Sequence, residues 1–166
     1  FILYITLFEV STITVPVHYL AYNSFGYVLY KEGKIGEAID NYNKAIRLKP
    51  DAVDVYNNRG IAYSKLDQYQ QAIEDLNEAI RLNPNYATAY NNRGIIYFNL
   101  GQYQKAIEDF NYTIRLKPYY TNTYIYRGVT YLLHGNKILG CRDAQKACVL
   151  GNCKTLDSAK AIGLCL

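Results

Sequence analysis

The chain has 166 residues, half of them apolar, and a formal net charge of +4. That length suits one compact domain or four to five small units stacked in a line, with enough apolar residues for a substantial core. The charge permits acidic partners but is too mild to demand nucleic acid. Trp and Met are absent, while Tyr occurs 19 times against 5 Phe. Without Met, the chain is expected to be a processed form or a fragment.

The four prolines, Pro16, Pro50, Pro84 and Pro118, each lie 34 residues after the one before. A stack of identical two-helix units explains that interval, because each unit must be stopped at the same point. The first stretch, FILYITLFEVSTITVPV, is apolar with Glu9 as its one charge. It lacks the basic start and cleavage site of a signal peptide. It is also short for a membrane span. Pro16 is in phase with the later prolines. Residues 1–18 are therefore expected to be a degenerate helix of an upstream unit or a remnant of a signal or anchor. Their β-branched content weighs against a helix.

Beyond the prolines, Gly26, Gly60, Gly94 and Gly128 coincide under a shift of 34, as do Tyr22, Tyr56, Tyr90 and Tyr124. In the second unit, apolar residues recur at helical spacing from Val53 to Leu66. Asp67 then takes the slot held elsewhere by Gly33, Gly101 and Gly135, a left-handed helix-ending position. A second helix is expected from about Tyr69 to Leu82, stopped by Pro84. Gly60 and Ala72 are small where the two helices cross.

These columns resemble the tetratricopeptide repeat family. Residues 53–86 match its pattern with Tyr56, Gly60, Tyr63, Ala72, Leu76 and Pro84. Residues 87–120 match with Tyr90, Gly94, Tyr97, Ala106, Phe110 and Pro118. Residues 19–52 carry Leu29 for the second Tyr, and residues 121–154 depart after Tyr131, with Gly140, Ala144 and Asn152 at the later positions. The resemblance implies an all-α, right-handed solenoid of antiparallel helix pairs. Units 19–52, 53–86 and 87–120 would precede a divergent, cysteine-containing unit 121–154 and a capping helix at 155–166.

The family's Leu before Gly is here Arg59, Arg93 and Arg127, and sixteen residues after each stands Asp75, Asp109 and Asp143. In the first unit both charges vanish together, as Phe25 and Asn41. A cation at a packing position needs a partner, so each pair is expected to bridge the two helices of its unit. The competing reading is solvated surface charge.

The family's first helices line a concave peptide-binding groove. By that resemblance the groove takes Asn23, Tyr27 and Tyr30, then Asn57, Asn58, Ile61 and Ser64, then Asn91, Asn92, Ile95, Phe98 and Asn99. Asn offers donor and acceptor to a peptide backbone, and Tyr and Phe offer flat contact area. Against this, Asn58 and Asn92 would merely tie one repeat to the next. Some relatives clamp a C-terminal carboxylate with Asn and cations. Here those positions hold Tyr27, Ile61, Ile95, Asp54 and Thr88, so a chaperone C-terminal tail is not expected as ligand.

All four cysteines lie near the C-terminus. Cys141 and Cys148 occupy slots held by Ile in other units and would point into the packing face. If the segment after Cys153 folds back antiparallel, Cys148 approaches Cys153 and Cys141 approaches Cys165. Disulfides, four free thiols and, lacking any Cys-x-x-Cys knuckle, a disfavoured zinc site stay open. The compartment is expected to be exported or periplasmic with disulfides and cytoplasmic without them.

No catalytic constellation, phosphate loop or metal motif is legible, and no cofactor, metal or small-molecule substrate is expected. The reading is a non-enzymatic module that binds a protein or peptide. The alternative is a structural segment that stacks on further repeats or self-associates. Single-stranded RNA is disfavoured by the 34-residue unit and the low groove charge. A membrane partner is expected only if residues 1–18 form an anchor.

Overall fold

The structure, a computed structural model, describes residues 18–165. The expectations for Pro16 and the segment before it lie outside them. The described residues form nine helices and no strands, an all-α helical repeat. The chain divides after Pro84 into two compact units. Among the described residues no helix is long and apolar enough to cross a membrane.

The first unit holds α1 (18–31), α2 (Ile35–Leu48), α3 (Val53–Lys65) and α4 (Tyr69–Leu82). Gly33 ends the first pair's turn at φ 81° and Asp67 the second at φ 56°, the left-handed conformation that glycine adopts freely and Asp tolerates. Tyr69 Oη donates to Asp67 Oδ1 over 2.7 Å across that turn. The core gathers Leu29, Ile39, Tyr42, Val55 and several alanines, with Ile46 and Tyr63 packed against it.

Tyr42 is 1% exposed and its ring lies on Gly26, where an added Cβ would come within 2.7 Å. Burial, with lesser contributions from Tyr30 and Tyr27, pushes its phenol up from 10.0 to about 12. The unfolded phenol loses its proton near 10, so the folded state holds it longer. This contribution is complete below about pH 10 and is lost as pH rises towards about 12, at up to about 1.4 kcal/mol per pH unit. Phe110 fills the same slot in the third repeat, so Tyr42→Phe keeps the packing. It should flatten the fall of stability measured by urea unfolding between about pH 10 and about pH 12. An unchanged slope contradicts this.

The second unit holds α5 (Ala87–Asn99), α6 (Tyr103–Leu116), α7 (Thr121–Leu133), α8 (Lys137–Val149) and the short α9 (Lys154–Ala161). Each helix packs on the next, and α5 also touches α7. Gly101 and Gly135 end the turns with positive φ. Asn136 caps α8, its Oδ1 accepting from the Leu139 N–H at 3.1 Å. Gly94 faces the fully buried Phe110, whose ring would stand 2.7 Å from an added Cβ. A buried ring cannot swing away, so Gly94→Ala should destabilise by about 1–3 kcal/mol, read from the urea midpoint. A loss below about 0.5 kcal/mol would mean that the crossing is looser than drawn.

Two disulfides fasten α9. Cys141 on α8 joins Cys165, with Cα atoms 5.6 Å apart, and Cys148 joins Cys153 across the α8–α9 turn, at 3.9 Å. None of the four cysteines is free, so neither four free thiols nor a zinc site corresponds to this arrangement. Cys141 and Cys148 are half-buried rather than sealed into the packing face.

Candidate functional site: ion pairs and first-helix faces

Each of Arg59, Arg93 and Arg127 makes a two-pronged bridge to the Asp sixteen residues on. Arg59 Nε and Nη2 donate to Asp75 at 2.8 and 2.6 Å. Arg93 does the same to Asp109 at 2.8 and 2.7 Å, and Arg127 to Asp143 at 2.7 Å from both nitrogens. These are forked, charge-assisted bonds. The carboxylates are 6–8% exposed and the arginine side chains 17–19%, which excludes solvated surface charge.

Each guanidinium also lies between two tyrosines of its own helix, three residues before and four after. Arg59 stands 5.5 and 5.8 Å from the Tyr56 and Tyr63 ring centres, and Arg127 stands 5.6 and 5.8 Å from those of Tyr124 and Tyr131. That spacing puts all three side chains on one helical face and adds cation–π attraction. A further partner was not anticipated from sequence. Arg59 Nη1 donates to Asn43 at 2.6 Å, and Arg127 Nη1 to Asn111 at 2.5 Å. Both asparagines stand sixteen residues before their arginine, so the spacing was there to be read.

Burial pushes the Asp75 and Asp109 carboxyls above the usual carboxylate value, against the hydrogen bond and charge of their arginines. Burial opposes the arginine charges too, but there the aspartate bond and charge outweigh it and the guanidinium value rises. The two directions disagree on the worth of the pair. The carboxyl is the informative member, because arginine stays charged throughout the working range. Its direction says that desolvation is not fully repaid.

In the first unit, Asn23 Nδ2 donates to Asp54 Oδ2 at 2.9 Å, and Asn58 Nδ2 donates to Asn23 Oδ1 at 3.0 Å. These bonds tie α1 to α3, so part of the amide capacity of Asn23 and Asn58 is spent inside the protein. Asn57 is only 3% exposed, which corrects its expected place on a groove surface. Tyr30 packs against the core, while Tyr27 is 49% exposed beneath Lys31, and Ile61 and Ser64 are half-buried.

In the second unit Asn91 is likewise 3% exposed, and its Oδ1 accepts from Thr123 Oγ1 at 2.8 Å. Asn91 is therefore also corrected to a structural tie, here from α5 to α7. Asn92, Ile95 and Phe98 are half-buried and Asn99 is exposed. The Phe98 ring meets Tyr126 edge-on at 6.1 Å. Further along α7, Val129 and Leu132 line an open cavity of about 300 Å³ with Lys154, Thr155, Ser158 and Ile162. Val129 and Leu132 stand one period after Ile95 and Phe98, so the spacing pointed to them, while nothing in the repeat placed α9 opposite.

The comparisons agree with this geometry. A TPR repeat model matches residues 26–67, and the tetratricopeptide repeat model matches 53–86 and 87–120. Together the matches run from residue 26 to residue 120, more than half of the chain. The chain belongs to the tetratricopeptide repeat family. A crystal structure of MamA is 28% identical, with 93% of this tetratricopeptide repeat chain and 86% of that one covered and a TM-score of 0.75. The first TPR of Spaghetti (RPAP3), bound to the HSP90 peptide SRMEEVD, is 29% identical, with 71% and 94% covered and a TM-score of 0.69. The Arabidopsis OM64 TPR domain is 25% identical, with 70% and 96% covered and a TM-score of 0.68. No curated protein matches the chain.

Proposed function

We propose that this tetratricopeptide repeat chain is a non-enzymatic interaction module that holds a peptide on an exposed first-helix face of its second unit. One observation carries the proposal. The half-buried Phe98 on α5 leads, through Tyr126, to a cavity on α7 that α9 closes from the far side. Val129, Leu132 and Ile162 offer an apolar wall for one peptide side chain, while Lys154, Thr155 and Ser158 offer polar groups suited to an acidic neighbour. Family membership and the peptide-bound relative support a protein or peptide partner in general. That relative's own ligand is not carried over, because Tyr27, Ile61, Ile95, Asp54 and Thr88 stand where a carboxylate clamp would need Asn and cations.

The test is a selection of random 12-residue peptides displayed on phage, panned on the native protein and on Val129→Lys. The native protein should enrich peptides with an apolar residue beside an acidic one, and the variant should lose them by at least about tenfold, the effect of losing about 1.4 kcal/mol. Equal enrichment on both proteins places the site elsewhere.

A further inference from the structure

Thr113 on α6 breaks a column of the repeat. Ala45, Ala79 and Ala147 stand at the same place in the other second helices, and each is fully buried. Thr113 is 0% exposed as well, so a hydroxyl is sealed in where the fold elsewhere uses a methyl group. That hydroxyl donates to the Asp109 carbonyl at 3.0 Å, a backbone group of its own helix one turn back. It also lies 3.4 Å from the Ala87 carbonyl. These contacts satisfy the hydroxyl, yet the three repeats that carry Ala do without them. What the threonine adds is a pattern. Asn111-Tyr112-Thr113 is the one Asn-x-Ser/Thr triplet in the chain, the acceptor motif for an N-linked sugar.

We propose that Asn111 carries an N-linked glycan, added as the chain passes through the oxidising secretory compartment that forms its two disulfides. The geometry at Asn111 fits this. Its side chain is exposed on α6, and its Oδ1 accepts from Arg127 Nη1 at 2.5 Å. Arginine can only donate, which fixes that orientation of the amide. The Nδ2 makes no hydrogen bond among the described residues, so the nitrogen that takes the sugar is the open one, and the Arg127 bond survives the modification. Glu108, Asn111, Tyr112 and Arg115 line an open groove of about 410 Å³ beside it. The Tyr112 ring is held there against the Tyr90 ring at 4.4 Å and the Arg115 guanidinium at 3.9 Å. Glu108 and Arg115 supply an acceptor and donors for the hydroxyls and acetamide of an N-acetylhexosamine. The two disulfides point independently to the same compartment, because such bonds form and persist in oxidising, exported environments. In the transfer, Asn111 Nδ2 attacks the anomeric carbon of an N-acetylhexosamine carried on a polyprenyl diphosphate. The N–C bond forms and the bond from that carbon to the diphosphate oxygen breaks. Polyprenyl diphosphate leaves with the electron pair, and the nitrogen gives up one proton. Thr113 is sealed in the folded repeat, so the transfer precedes the closing of α6 on α5.

The test is the full chain secreted from cultured animal cells behind an added leader, read by tandem mass spectrometry before and after treatment with peptide N-glycosidase. Asn111 should carry a glycan that begins with an N-acetylhexosamine, and the enzyme should remove it and leave an aspartate at that position. Thr113→Ser should keep the glycan. Thr113→Ala should lose it altogether while matching the urea midpoint of the enzyme-treated parent, because the other second helices carry Ala there. Asn111→Gln, which leaves the buried threonine in place, should lose it as well. An unmodified Asn111 in the secreted, disulfide-bonded parent overturns the proposal. So does a glycan that persists in Thr113→Ala.

Discussion

Asp109→Ala should lower stability by about 3–5 kcal/mol, because it leaves the Arg93 guanidinium inside the protein without its carboxylate. The double replacement Arg93→Phe with Asp109→Asn should recover most of that loss, ending within about 1 kcal/mol of the parent. The chain contains this experiment already. Its first repeat carries Phe25 and Asn41 at those positions, and Asn41 Nδ2 there donates to the Glu37 carbonyl at 2.8 Å. The raised Asp109 carboxyl points the same way, since a pair that does not repay its desolvation is replaceable as a unit and intolerable by halves. Urea unfolding of both singles and the double measures the coupling. If the single and double losses are equal, the bridge is not what holds Arg93 in place.

Removing the Cys141–Cys165 bridge should cost about 3 kcal/mol. It closes a loop with a sequence separation of 24, and such a loop restrains the unfolded chain strongly. The Cys148–Cys153 bridge spans only 5 residues, so its loss should cost less, about 2 kcal/mol. The effect should also be local. α9 has 8 residues and is too short to persist alone, so Cys165→Ser should free its amides to exchange while the α5–α6 pair stays protected. Retained protection in α9 would show that Ala159, 3% exposed, and its neighbours hold the helix without the bridge. Because α9 forms one side of the cavity, the same variant should weaken peptide binding.

Legibility from sequence followed the period. The prolines, the Gly columns and Asp67 are backbone requirements repeated at fixed spacing, so helix pairs and turns could be read directly. The Arg–Asp bridges were legible because both members change together in the first repeat. The face residues were not, because burial depends on what neighbouring helices cover. Asn57 and Asn91 look identical in sequence to surface amides, yet both are 3% exposed, and Asn91 is held by the α5–α7 bond from Thr123. The cavity escaped because α9, its far wall, lies beyond Tyr131, where the repeat pattern stops.

The most direct measurement is amide chemical-shift mapping of the protein titrated with a peptide selected on it. Saturable shifts should concentrate on Phe98, Tyr126, Val129, Leu132 and the first turn of α9. Shifts confined to the outer surfaces of α6 and α8, with these residues unmoved, would contradict that site.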